Sequence, residues 1–356
     1  MSARYVWTTG GDLWQGTHVS LFDKIAHCNS LSVVGLAKNT GKTVTLNYLL
    51  QELRHSRRTV AVTSIGIDGE GIDQVTRTAK PEIILYEPML FVTSEQHYAR
   101  RRLTAEILDV STMRTALGRL VTARVHNTGK VLLSGPADTA TLRRVIARNA
   151  ELGANLTIVD GALSRLSPAS PSVTEAMILA TGAAVSANMQ QLIRQTKFVC
   201  DLVSLPCLPD DALRESLSSI AKGVWQIDGA EIHDLKLNSA LSIGRKGQNA
   251  IPPDANTLFV AGVITNKLLE HLRLQKNIAE LTVIARDFTK IFVSPESYNA
   301  FIKRGGTLQV LYRTQLLAVT VNPTSPQGYT LDSTTLCNAL SEVIGLPVMD
   351  VRQHMQ

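Results

Sequence analysis

The stretch that most constrains this chain is GLAKNTGKT, Gly35 to Thr43. It lies between an apolar run, LSVVG (31–35), and KTVTLNYLLQELRHS (42–56). In the second segment Leu46, Leu49, Leu50 and Leu53 recur at i, i+3, i+4 and i+7. Such a run reads as a buried strand, and such a spacing as one face of a helix. TVAVTSIG (59–66) supplies the next strand. The order strand–loop–helix–strand predicts a βαβ unit, whose strands pair in parallel through a right-handed crossover.

Gly41, Lys42 and Thr43 match the right half of the Walker A pattern G-x-x-x-x-G-K-S/T, in the strand-to-helix setting that the pattern requires. The chemistry follows from the residue types. Backbone N–H groups from Lys38, Asn39, Thr40 and Gly41 and from the helix start would face a β-phosphate. Lys42 would neutralise β and γ oxygens, and the Thr43 hydroxyl would be a Mg²⁺ ligand. The expected fold class is therefore α/β, with a P-loop NTPase-type parallel sheet covered by helices. The left half departs from the pattern. Five residues, not four, separate Gly35 from Gly41, which leaves Leu36 in the usual glycine position. A branched side chain disfavours positive φ, so Leu36 must keep φ negative and the loop must leave its strand differently.

Mg²⁺ also takes one or two carboxylates. Asp160 ends the apolar run LTIVD, and Asp68 follows the second strand in SIGIDGE. Both should project at the carboxyl edge of a parallel sheet. Lys42, Asp68 and Asp160 are thus the candidate catalytic residues, and Thr43, Asp68 and Asp160 the candidate metal ligands. Glu70 is a weaker candidate. Each Asp precedes a glycine, so a turn explains either one without function. The Gly-Pro of LLSGP (132–136) ends a further expected strand, KVLLSGP (130–136), at the same edge. Asn266-Lys267 follows an apolar run as in guanine-reading motifs, but Leu269 stands where such motifs carry Asp, and a helix cap is the simpler role for Asn266. ATP rather than GTP is the expected nucleotide. The eight histidines are scattered, and no nucleophile–base constellation is evident.

The chain has 356 residues, 44% of them hydrophobic and 19% charged, which is enough core for one large or two ordinary domains. Its net charge of +6 admits a phosphorylated ligand. The run Arg100-Arg101-Arg102 reads as a solvated face, and no basic stripe interleaved with aromatics points to nucleic acid. Four cysteines show no Cys-x-x-Cys pair and read as free thiols of a reducing compartment. With no apolar signal-like start and no convincing membrane span, a cytoplasmic protein is expected. Asp138 is placed to cap a helix that Gly153 ends, and NLTIVDG (155–161) reads as a strand. VTEAMILATGAAV (173–185) reads as a helix and KFVCDLVSL (197–205) as a strand. The predicted division is a lead-in over 1–29, a nucleotide domain over 30–206, and a C-terminal α/β region over 207–356. The last carries LFVAGVI (258–264), a helix from Asn266, LTVIARD (281–287) and LLAVTV (316–321).

The loop resembles that of SIMIBI-class P-loop proteins, which include dethiobiotin-synthetase-like ligases and metallochaperone GTPases. Taken together, GLAKNTGKT, TSIGIDGE, KPEI (80–83), SGP (134–136) and VDGALSRLSPASP (159–171) resemble the ATP-binding subunit of the lysine 5,6-aminomutase reactivating factor. The resemblance covers about residues 30–175 and little of the C-terminal third. Lys38 lies three residues before Gly41, not the four of the SIMIBI signature lysine, so that role does not transfer. The resemblance implies a chaperone-like, Mg²⁺-dependent ATPase. Such a factor would act with a second ATPase subunit on an adenosylcobalamin-dependent aminomutase. Nucleotide occupancy would bias loops such as 66–75 and 161–172 between two arrangements, with the Ser/Pro loop 164–172, which carries Ser164, Arg165 and Ser167, as the candidate relay. An ATP-dependent small-molecule ligase or kinase is the alternative, and a binding protein with a decayed loop is a third.

Overall fold

The computed structural model describes residues 21–66, 82–162, 169–239 and 251–354. These form two compact units. The residues up to 162, Val173–Met189 and everything from Leu316 onward belong to the first; Ala169–Ser172 and Gln190–Gln315 belong to the second. The chain leaves the first unit near residue 189 and returns to it at 316.

In chain order the first unit opens with α1 (Leu21–Ala26), β1 (Ser30–Gly35), α2 (Lys42–Leu53), β2 (Val60–Ser64), β3 (Ile83–Leu85), β4 (Leu90–Ser94), α3 (Glu95–Ala99), β5 (Ala105–Thr115), β6 (Gly118–Val125), β7 (Gly129–Val131), α4 (Thr139–Glu151), β8 (Leu156–Ala162) and β9 (Ala176–Gly182). The second follows with α5 (Met189–Val203), α6 (Asp211–Ser218), β10 (Val224–Asp228), β11 (Glu231–Leu237), β12 (Thr257–Val260), β13 (Ile264–Thr265), α7 (Asn266–Leu272), β14 (Thr282–Ala285), β15 (Ile291–Phe292), α8 (Pro295–Lys303) and β16 (Thr307–Val310). Then β17 (Gln315–Asn322), α9 (Ser333–Ile344) and β18 (Val348–Met349) rejoin the first.

Nine strands make the first unit's sheet, in the order β18-β17-β9-β1-β8-β2-β4-β6-β5. Strands β9, β1, β8, β2 and β4 pair in parallel, as the βαβ reading requires. The sheet is nevertheless mixed rather than parallel throughout, because β6 and β5 extend it antiparallel from β4. Its two faces are legible in β8. Leu156 and Ile158 join a core with Leu46, Leu49, Leu50 and Leu53 of α2, whereas Val159 packs with Leu142 and Ile146 of α4. Alternation along one strand thus feeds helices on both sides. Truncating a side chain this deep, such as Ile158 with no exposed surface, costs about 2–5 kcal/mol.

Helix α2 is buried beyond its leucine face, since Thr45, Asn47 and Tyr48 are also covered. Asn47 meets the cost of burial with two backbone bonds: its side chain donates to Glu82 O (3.0 Å) and accepts from Ile84 N (3.0 Å). At the amino edge of the sheet, Arg58 donates to the Ala26 (2.7 Å), Cys28 and Asn155 carbonyls, tying together the segments that enter β1, β2 and β8.

Three local expectations change. AMILATG is a strand, β9, wholly buried beside β1, and not a helix. KFVCDLVSL falls mostly in helix α5, whose buried Leu192, Ile193, Thr196, Cys200 and Val203 share one face. Of KVLLSGP, only the start is a strand, paired antiparallel with β3 outside the main sheet. Asp138 does cap α4, accepting from Thr141 N at 2.8 Å, and Gly153 follows the helix end at φ 95°. The second unit holds a five-stranded sheet, β11-β10-β12-β14-β16, parallel from β12 to β16 and antiparallel beyond. Among the described residues no helix is long and apolar enough to cross a membrane.

Candidate functional site

Strand β1 runs between β8 and β9, in register with Val33 opposite Asp160 and Gly35 opposite Ala180. Across β8, Asp160 is level with Ser64 of β2. The carboxyl ends of three parallel strands therefore converge where the chain turns from Gly35 into α2. The turn is built by close contacts. Leu36 N donates to Ala180 O at 2.7 Å, continuing the β1–β9 ladder by one residue. Leu36 keeps a negative φ, as its side chain demands, and the left-handed positions are Asn39 (φ 62°) and Gly41 (φ 87°). Asn is one of the few side-chain-bearing residues that adopt this region readily.

Gly35 serves a different end from the first glycine of a Walker loop. A Cβ there would lie 2.7 Å from the Thr40 hydroxyl, so glycine lets the loop fold back on its own strand. Thr40 is buried, and its hydroxyl donates to Ala37 O at 3.0 Å. Its side chain is committed within the loop, and any ligand contact it makes comes from its backbone. Lys38 is exposed at the tip.

Helix α2 begins at Lys42 with Gly41 as N-cap and no side-chain cap. By contrast α3, α4, α6, α7, α8 and α9 are each capped by a Ser, Asp or Thr side chain. An uncapped first turn leaves backbone donors and the positive end of the helix dipole for something else. Lys42 reaches across from this turn to Asp160, with Nζ 2.9 Å from Oδ1, and both side chains are largely covered. The contact is ionic, without hydrogen-bond alignment, so Oδ1 is buried with no hydrogen-bond partner. Ser64 Oγ and Ile65 N hold the Asp160 carbonyl at 3.2 Å each. Thr43, the second helical residue, is partly exposed.

The sequence-predicted loop residues Lys38 to Thr43 and Asp160 are thus brought to one edge. Asp68 and Glu70 lie outside the described residues, as do Ser164, Arg165 and Ser167 of the Ser/Pro loop. Gly135-Pro136 does reach this edge: Gly66 N donates to Pro136 O (2.8 Å) and Gly135 N to Gly66 O (3.1 Å). A Cβ on Gly135 would meet the Ser64 carbonyl at 1.6 Å, so only glycine permits the approach. Among the described residues no group of three or more His, Cys, Asp or Glu side chains is gathered for a metal.

Two features were not visible in the sequence. Ser134 and His97 meet at 3.0 Å, an approach that resembles a nucleophile–base pair. Both are buried, and the Ser134 hydroxyl is also engaged with Ser94 Oγ, Ser94 N and Thr93 Oγ1, which makes it a structural hub. The second feature is Asn322, at the end of β17. Its Nδ2 donates to Asn39 O at 3.0 Å, and its Cβ lies against Gly41. Asn322 directly follows the apolar run 316–321, and nothing in the sequence marks its place beside residue 39.

In comparisons with known proteins, no family model, no curated protein and no solved structure matches this chain.

Proposed function

We propose that this chain is a phosphate-loop protein that binds ATP with Mg²⁺ at the β1–α2 turn. The carrying observation is the Lys42–Asp160 contact at an uncapped helix start on the carboxyl edge of parallel strands. The residues fit the group. Backbone donors of the first α2 turn suit phosphate oxygens. Lys42 supplies the compensating charge, and Thr43 with the Asp160 carboxylate that Lys42 faces supplies oxygen donors of the kind Mg²⁺ takes. When bound, the metal would polarise the phosphate oxygens. Lys42 would move its charge from Asp160 to those oxygens, and Asp160 would orient the metal's water shell.

On the resemblance of the loop set, ATP turnover would serve a reactivating factor. It would act with a second ATPase subunit on an adenosylcobalamin-dependent aminomutase in the cytoplasm. A fluorescent ATP analogue titrated into wild type and Lys42→Ala tests the site, and equal, negligible binding in both would sink it. Asp160→Asn should keep most binding but lower Mg²⁺-dependent hydrolysis about a hundredfold. Hydrolysis that stays slow until a protein partner is added supports the factor; tagged protein purified with ATP should recover that partner.

A second reading, the ligase or kinase, draws on the second unit. A groove of about 480 Å³ is lined there by Gln191, Arg194, Lys197 and Asp201 of α5 and by Glu296 and Asn299 of α8. It offers charges of both signs for a small acceptor. ATP consumption that depends on an added metabolite and falls in Arg194→Ala would favour this reading over the first.

A further inference from the structure

Resting on the nucleotide reading above, we propose that Asn322 is a positioning residue for the phosphate-binding turn, supplied by the strand that rejoins the first unit from the C-terminal part of the chain. Four contacts converge on it. Its Nδ2 donates to the carbonyl of Asn39, the residue held at φ 62°. Its Cβ sits where a Cβ on Gly41 would approach to 2.9 Å, so it forms the wall behind the helix N-cap. Its carbonyl accepts from Ala183 N at 2.9 Å, and its Oδ1 from Thr324 N at 3.3 Å. A Cβ on Gly182 would strike the Asn322 carbonyl at 2.0 Å, so the β9 end is cut back to let this residue in.

Asn322 is only 8% exposed, and its side chain uses both ends of its amide. It therefore has one fixed orientation. That orientation pins the Asn39–Thr40 peptide between two left-handed residues. The peptide plane sets where the N–H groups of Thr40 and Gly41 point, so holding the Asn39 carbonyl from behind holds those donors in front. A loop with an extra residue between its glycines has more freedom than the usual one, and a distant strand supplies the restraint that its own sequence lacks. Asn322 acts through the loop: its side-chain hydrogen bonds go to Asn39 and Thr324, not to Lys42 or Asp160.

The test compares Asn322→Asp with Thr320→Val. The first keeps size and the acceptor for Thr324 but places an oxygen against the Asn39 carbonyl. The second breaks the 2.8 Å Thr45–Thr320 hydroxyl contact, which loosens β17 against α2 without touching the loop. Hydrogen exchange of the nucleotide-free proteins should rise about tenfold across residues 36–41 in Asn322→Asp and stay at the wild-type level in Thr320→Val. The Kd values for ATP and ADP should rise by the same factor, about three- to tenfold, because both carry the β-phosphate that the loop serves. KM should rise in step while kcat holds. Unchanged exchange and Kd in Asn322→Asp would overturn the proposal, as would equal changes in both variants, which would show a general weakening of β17. If wild type binds neither nucleotide, the functional reading falls, while exchange at 36–41 still decides whether Asn322 holds the turn.

Discussion

Among the described residues, two strand-to-helix junctions carry a Lys just inside the helix, and they are built in opposite ways. At β1–α2 in the first unit, Gly41 caps nothing with a side chain, and Lys42 turns onto a largely covered carboxylate. At β13–α7 in the second unit, Thr265 caps the helix by accepting from Leu268 N, and Asn266 Oδ1 accepts from Ser294 N at 2.7 Å. Lys267 is exposed. The second junction satisfies itself with its own polar atoms, which removes Asn266 from base reading and makes it a brace to the start of α8. The first leaves backbone donors beside a cation and the carboxylate that the cation faces. On the proposed reading, it is the junction whose own side chains do not close the turn that is left open to a ligand.

The comparison breaks first at the two lysines. On the proposed reading, Lys42→Ala removes a charge-assisted contact to phosphate worth about 1.5–3 kcal/mol, so nucleotide affinity should fall about ten- to a hundredfold in a fluorescence titration. Lys267→Ala should leave it unchanged; equal losses would mean that neither junction is special. The glycines come next. Gly41→Ala places a Cβ at φ 87° and 2.9 Å from the Asn322 Cβ, which should cost about 1–3 kcal/mol in thermal or urea unfolding of the first unit. Gly262, just ahead of the second junction, lies outside the left-handed region and has open space around its Cβ position, so Gly262→Ala should be near neutral.

Local signals carried much of this structure. The leucine spacing found α2, Asp138 and Gly153 marked both ends of α4, and NLTIVDG marked the strand β8 that carries Asp160. Each depends on residues within a few positions of one another. What failed depended on distant neighbours. AMILATG is apolar on both faces and holds good helix formers; it is a strand because β1 pairs with it. KFVCDLVSL looked like a strand when read from Lys197, because its helical period begins eight residues earlier at Met189. The antiparallel β5–β6 extension and the return of β17 are set by pairing partners that no short window contains. The loop was similar. Its chemistry was readable at Gly41-Lys42-Thr43, but its restraint by Asn322 spans more than 280 positions.

The smallest effect separates the capped junctions from each other by pH. Asp138 and Thr265 both accept from the backbone three residues on, Thr141 N at 2.8 Å and Leu268 N at 3.4 Å. Removing either cap with Ala should cost about 1 kcal/mol near neutral pH. Only Asp138 titrates. The backbone bond from Thr141 holds its carboxyl below the usual range, so its stabilisation is present above the unfolded-state pKa of about 3.9 and is lost as pH falls through the lower folded value. Urea unfolding of Asp138→Ala beside wild type should therefore show a gap that narrows below about pH 4. The gap for Thr265→Ala should be the same at both ends, because a hydroxyl cap has no charge to lose. A cost for Asp138→Ala that persists in acid would mean that the carboxyl caps α4 equally well when protonated, and that its charge does not matter at this helix start.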